Sequence, residues 1–177
     1  MQRIIYYVAV SIDGFIEGPN NDTSMFMPSG AGVEKYLEDL QSYKTVIMGR
    51  KTYEFGYQYG LEPGKPAYPH MQNFIFSNEL AFNEEHDNVH VKALSIMTIE
   101  QIKKQSETDI YLCGGGQLAG WLLENNLIDQ VKVKLNPVVI GNGTRLFEGI
   151  SHPYRLKHES SLNYPEGLQV ITYTVIN

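Results

Sequence analysis

The sequence predicts a single α/β domain over residues 1–177, rich in strands, with a mixed sheet covered by helices. Three observations carry that expectation. Short runs of β-branched and aromatic residues alternate with a few stretches of helical periodicity. The 177 residues are 42% hydrophobic and 19% charged, a globular composition at a length that can bury its own core. No internal repeat and no Pro/Gly/Ser-rich linker divides the chain.

The elements follow in order. Ile4–Val10 reads as a buried strand rather than a signal peptide: the apolar run is short, Asp13 follows closely, and no small-residue cleavage site appears. Residues Gly18 to Gly30 form a polar loop interrupted by Met25, Phe26 and Met27. Val33, Tyr36, Leu37 and Leu40 recur at i, i+3, i+4, i+7, one face of a helix. Thr45–Met48 is a second buried strand, and a loop rich in Gly, Pro and Tyr runs from Phe55 to Pro69. Asn73–Phe76 and Val89–Val91 read as short strands, and Ile96–Gln105 as a helix with Thr98 as its N-cap. Ile110–Cys113 is another apolar strand, followed by three glycines and a helix from Leu118 to Asn125. Val131–Ile140 reads as one long strand whose Pro137 demands an edge position or a bulge. Gly141, Asn142 and Gly143 suit a tight turn, and Arg155–Leu162 with Leu168–Ile176 a closing antiparallel hairpin around Pro165–Gly167.

Charge narrows the partners. Fourteen Lys+Arg against 20 Asp+Glu give a net charge of −6, and the longest basic cluster is Lys103–Lys104. Neither nucleic acid nor an anionic membrane is drawn to such a surface. No run approaches the ~18 apolar residues of a membrane span. Cys113 is the only cysteine, which excludes an intrachain disulfide; it reads as an inert thiol in an apolar strand, and the cytoplasm is the expected compartment. His86 and His90 have i, i+4 spacing in a loop, but a metal site needs three or four ligands, so none is expected.

The 16 glycines raise the functional question. From Ile110 to Ala119 the order is strand, Gly114, Gly115, Gly116, helix, which frees backbone N–H groups with no Cβ in front of them. This is either a phosphate cradle or only a tight turn. Gly114, Gly116 and Ala119 also satisfy G-x-G-x-x-G/A, but the segment is not an early βαβ unit, and Lys132 and Lys134 stand where the ribose-binding acid belongs. A second strand-to-Gly turn runs from Thr45 to Tyr53 with Arg50 and Lys51 beside Gly49. These two cations suit either a dinucleotide phosphate, with Arg50 favouring NADP over NAD, or merely a solvated surface. Third, the strand after Val10 breaks at Asp13–Gly14, where the carboxylate either caps a turn or accepts from the N–H groups of a heterocycle. Trp121, among leucines, reads as core.

Together these motifs carry a resemblance. The run VIMGRKTYE (Val46 to Glu54) closely resembles the first cofactor loop of dihydrofolate reductases. The tetrapeptide from Ser11 to Gly14 resembles the S-[LI]-D-G signature of the reductase domain of the bacterial riboflavin-pathway deaminase-reductase. The stretch from Gly114 to Asp129, continuing to Gly141, is similar to that same domain, and the likeness is weakest between Phe55 and Thr108. It implies a three-layer dihydrofolate reductase-like fold, a stand-alone reductase domain without its deaminase, NADPH as cofactor, and a homodimer. It assigns Gly49, Arg50, Lys51 and Thr52 to the adenosine-side phosphates, and Ser77 and Asn78 to the ribose and its 2′-phosphate. It assigns Gly114, Gly115, Gly116, Gln117 and Leu118 to the pyrophosphate, Ala9 and Ile16 to the nicotinamide, and Asp13 to the substrate. One departure stands out: Val33 occupies the place of the pterin-binding carboxylate, with Glu34 one residue away as a candidate substrate group.

The implied reaction is hydride delivery from NADPH to a C=N or C=O bond of a small heterocycle or sugar, most like 5-amino-6-(5-phosphoribosylamino)uracil. Asp13 would orient the substrate, and water or Asp13 would supply the proton. Lys132, Lys134 and Arg145 are available for a ribose phosphate. Three alternatives stand beside it: a dihydrofolate or other pterin reductase, a non-catalytic NADP- or nucleotide-binding protein, and a Rossmann-type NAD protein.

Overall fold

Strand β1 (Ile4–Val10) has no polar side, and five of its residues, Ile4, Ile5, Tyr6, Tyr7 and Val10, are buried. A strand apolar on both faces belongs inside a sheet covered twice. The computed structural model describes residues 1–176 and places it so. The further strands are β2 (Phe15–Glu17), β3 (Thr45–Gly49), β4 (Gln72–Phe76), β5 (Val89–Lys92), β6 (Ile110–Gly114), β7 (Gln130–Leu135), β8 (Thr144–Arg145), β9 (Arg155–Asn163) and β10 (Gln169–Ile176). The helices are α1 (Ala31–Leu40), α2 (Arg50–Phe55), α3 (Ile96–Gln105) and α4 (Gly116–Glu124).

Eight strands form one sheet in the order β5-β4-β3-β6-β1-β7-β10-β9, and β2 pairs separately with β8. β5 through β7 run parallel, while β10 is antiparallel to both of its neighbours. The expected C-terminal hairpin is therefore present, and Gly167 turns it with φ +90°. Alternation along the strands divides the core in two. Ile4, Tyr6, Ile110, Leu112, Val131 and Val133 pack against Ile99 and Ile102 of α3 and Leu122 and Leu123 of α4. Ile5, Tyr7, Val46, Met48 and Tyr111 pack against Leu40 of α1 and Tyr53 of α2. The sheet thus has helices on both faces, the three-layer mixed arrangement expected.

Several local expectations are corrected. β7 ends at Leu135 rather than Ile140, and it lies inside the sheet, so Pro137 marks neither an edge strand nor a bulge. The ladder stops because Asn136 turns its buried side chain to local work: its amide donates to the Lys134 carbonyl and accepts from the Met27 N–H at 3.0 Å each. Pro137, with no N–H of its own, cannot resume the ladder. The cap of α3 is Ser95, whose hydroxyl accepts from the Thr98 N–H; Thr98 sits in the first turn instead. Leu37 is 55% exposed, so the inward side of α1 is narrower than its apolar spacing suggests and is built from Gly32, Tyr36 and Leu40. α4 begins two residues before Leu118, at Gly116.

Candidate active site

The parallel strands β3, β4 and β6 end side by side, and each hands over to a turn at the same edge of the sheet. One cavity of about 720 Å³ opens there. Its walls bring together Gly49, Arg50, Lys51 and Thr52 after β3, Ser77 and Asn78 after β4, and Gly114, Gly115, Gly116, Gln117 and Leu118 after β6. Ala9 and Ile16 line it as well.

The glycines divide by what surrounds them. A Cβ on Gly49 would find nothing closer than the Gly114 carbonyl at 4.0 Å, and one on Gly114 nothing closer than the Thr52 hydroxyl at 3.9 Å. That flank of the cavity is bare backbone, open to a ligand, and Gly114 holds φ +135°, a conformation that favours glycine. The Gly114–Gly115 peptide is cis. Gly116 differs, because its Cβ would lie 2.2 Å from the Arg145 carbonyl; this glycine lets α4 pack against the end of β8.

The cations sit at the same end. Arg50 is only loosely shared with Glu54, at 3.5 Å one helical turn on, and Lys51 is exposed with no ion pair among the described residues. Both charges remain free to meet an anion. The Ser77 hydroxyl accepts from the N–H groups of Glu79 and Leu80 and so fixes the turn that presents exposed Asn78. Bare glycine backbone, two uncommitted cations and a Thr hydroxyl form a donor set that fits the phosphates of a dinucleotide.

Two expected substrate residues lie elsewhere. Asp13 is not among the cavity walls, and its carboxylate is fully engaged. It accepts from the Ser11 hydroxyl at 2.6 Å and from the N–H groups of Ile140 and Gly141 at 3.1 and 2.7 Å. These bonds, the Ser11 one foremost, hold its pKa down to about 2. The carboxylate bolts the turn after β1 to the loop after β7. Glu34 is exposed on the first turn of α1 and also lies outside the cavity walls. What α1 presents to the cavity is Tyr36.

The end of the cavity beyond the glycines is aromatic. Tyr7, Tyr36, Tyr111 and Cys113 line it together with Lys134, and Phe26 approaches from the Gly18–Gly30 loop. The Tyr36 and Tyr111 hydroxyls share a hydrogen bond at 2.6 Å. Burial pushes the ionisation of Tyr7, Tyr36, Tyr111 and the Cys113 thiol upward, so all four are neutral near pH 7. Cys113 is thus a half-buried wall residue rather than a core thiol, with the Tyr68 hydroxyl 3.5 Å from its sulfur. Trp121 packs against the core and also lines the cavity rim. Of the three cations considered for a ribose phosphate, Lys132 is committed to Asp39 and Arg145 lies over the Phe15 ring at 4.9 Å; only Lys134 lines the cavity. The aromatic wall was accessible to a period-2 reading, since Tyr7 precedes Ala9 by two residues and Tyr111 precedes Cys113 by two.

With this geometry in view, comparison with known proteins is specific. Residues 2–170 match the family model described as the RibD C-terminal domain. The Bacillus subtilis (strain 168) protein YyaP is 27% identical over 180 residues, covering 97% of this chain and 94% of its own length. Among solved structures, a riboflavin biosynthesis protein assigned as such in Shewanella sp. PV-4 superposes with a TM-score of 0.81 at 19% identity, over 99% of this chain and 100% of that one. Dihydrofolate reductase from Enterococcus faecalis, complexed with NADP(H), superposes with a TM-score of 0.71 at 15% identity, over 99% and 97% of the two chains. These structural likenesses establish the fold.

Proposed function

The chain belongs to the RibD C-terminal domain family, and from that membership we propose that it is an NADPH-dependent reductase acting on a small heterocycle, most like 5-amino-6-(5-phosphoribosylamino)uracil. The observation that carries the reading is the convergence of Gly49–Thr52, Ser77–Asn78 and Gly114–Leu118 on one cavity from the ends of three adjacent parallel strands. Such an edge is where open α/β sheets take their nucleotides.

NADPH, when bound, supplies a hydride and two electrons. The chain supplies the rest. Backbone N–H groups at the Gly114–Gly116 turn and the α4 start would hold the pyrophosphate, and Arg50 with Lys51 the outer phosphates, with Ser77 and Asn78 near the ribose. Ala9 and Ile16 would bracket the nicotinamide. The aromatic end would exclude water from the acceptor, where hydrogen bonds and charges act more strongly. Asp13, tied up by Ser11, Ile140 and Gly141, would join the turn after β1 to the loop after β7 rather than touch substrate. Turnover of dihydrofolate itself is disfavoured, because α1 offers Tyr36 to the cavity and no carboxylate. The homodimer belongs to the same reading, with the exposed strand β9 as the available edge.

The test is direct titration with NADPH and NADH, followed by NADPH oxidation against the aminouracil, dihydrofolate and simple cyclic imines. Tight NADPH binding with turnover of one of them supports the reading. Binding without oxidation of any would move the protein to the non-catalytic nucleotide-binding class.

A further inference from the structure

Among the described residues, Lys134 is the one cation at the aromatic end of the cavity, and none of them neutralises it. Its ammonium lies over the Tyr36 ring, 3.5 Å from the centroid, and has no carboxylate or hydrogen-bond acceptor among the described residues. The contrast with Lys132 is instructive, since both point to the same side of β7. Lys132 is paired with Asp39, which also takes Lys35 at 2.6 Å and the Tyr7 hydroxyl at 3.3 Å. Asp39 is thereby used up before it can serve Lys134. The other groups around Lys134 are Tyr7 from β1, Tyr36 from α1, and Tyr111 and Cys113 from β6, all uncharged near neutrality. Glu17, farther along the wall, accepts from the Thr144 hydroxyl at 2.6 Å. An unpaired ammonium in such a place costs stability, so its retention calls for a task.

We infer that Lys134 is the catalytic residue that gives the proton in the reduction, and that the substrate's acceptor is an uncharged C=N or C=O group seated among Tyr7, Tyr36, Tyr111 and Cys113. The inference rests on the reductase reading above. The acceptor carbon gains a C–H bond from the reduced nicotinamide, which is thereby oxidised by two electrons. The π pair of the C=N or C=O bond moves onto the nitrogen or oxygen, and that atom takes a proton from Nζ of Lys134. Lys134 is left as a neutral amine and is reprotonated by water. The electrostatics suit the step: burial, with no compensating anion, lowers the Lys134 pKa to about 8, close to where a general acid works best. A cationic acceptor group would be repelled, so the reducible C=N or C=O is itself uncharged, whatever phosphate the substrate carries elsewhere.

Two measurements decide it. The first needs no substrate: thermal midpoints of wild type and Lys134→Met across pH. A lysine whose folded pKa lies near 8, below its unfolded 10.5, opposes folding below pH 8 and ceases to do so as pH rises towards 10.5. Lys134→Met should therefore unfold at a higher temperature than wild type at pH 7, with the gain vanishing by about pH 10.5. A variant less stable than wild type at pH 7 would mean that the ammonium is an ordinary packing or pairing group, and would overturn the inference. The second is turnover with whichever of the aminouracil, dihydrofolate or cyclic imine probes wild type reduces. Lys134→Met should keep its NADPH affinity and lose roughly 10²–10⁴-fold in kcat, and the wild-type fall in kcat above pH 8 should disappear. Lys134→Arg should not rescue, because guanidinium keeps its proton; rescue by Arg would make Lys134 a fixed charge and not a donor. Unchanged kcat in Lys134→Met, with wild type active, sinks this inference alone. Inactivity of wild type on every probe sinks the reductase reading and this one with it.

Discussion

At the scale of single residues, Arg50 and Asp13 show how differently two motif residues can be used. Arg50 is held only loosely by Glu54 and stays available at the cavity mouth. Arg50→Ala should weaken NADPH binding about 10- to 150-fold, since a charge-assisted contact contributes roughly 1.5–3 kcal/mol, while NADH affinity hardly changes. Equal losses for both dinucleotides, measured by fluorescence titration, would remove Arg50 from the 2′-phosphate. On the reading proposed above, Asp13 does a mechanical job. Its folded pKa of about 2 lies below the ordinary 3.8, so it stabilises the fold above pH 4, and that contribution is lost as pH falls through 2. Asp13→Asn should lower the thermal midpoint at pH 7 and flatten its decline between pH 4 and pH 2, without abolishing hydride transfer. A variant as stable as wild type at pH 7, but inactive, would return Asp13 to the chemistry.

At the scale of elements, the close approach of α4 to the chain after β8 is the most sensitive joint. A Cβ on Gly120 would sit 1.8 Å from the Glu148 carbonyl oxygen, a backbone atom rather than the end of a flexible side chain. Gly120→Ala should destabilise the protein by about 1–3 kcal/mol through overpacking, read as a shift of the denaturation midpoint at unchanged slope. The elements themselves were largely legible from residue patterns, because parallel strands buried on both faces write long apolar runs such as Ile4–Val10 and Ile110–Cys113. Where the sequence misled, a distant partner decided. Val131–Ile140 has the composition of one strand, yet Asn136 is claimed by the Met27 N–H from a loop more than 100 residues earlier. The two-residue strand β8 exists only because β2 lies beside it, and neither is long enough to signal itself. The site was legible in halves. The glycine and cation end is local in sequence, strand then turn, and its parts could be read in place. The aromatic end is not: Tyr7, Tyr36, Tyr111 and Lys134 come from four separate elements, and only the sheet order brings them to one wall.

At the scale of the whole molecule, β1 is the keystone, with β6 on one side and β7 on the other. Its ladder partners begin at Ile110 and Gln130, so nothing in the first hundred residues completes the sheet around it. A chain ending after Gln105 should therefore lack a cooperative unfolding transition and should not bind NADPH; a folded, protease-resistant fragment of that length would show that β1, β3, β4 and β5 can organise a core without β6 and β7. The same geometry has a consequence for the protein's birth. Ile4–Val10 leaves the ribosome about 100 residues before its sheet neighbours exist. At roughly 5–20 residues per second, that is about 5–20 s during which a seven-residue apolar segment without proline has both edges open. Yield in a cell should thus depend on how well nascent-chain chaperones cover the first strand, and charged residues cannot be placed within it as a safeguard because the finished sheet buries both of its faces.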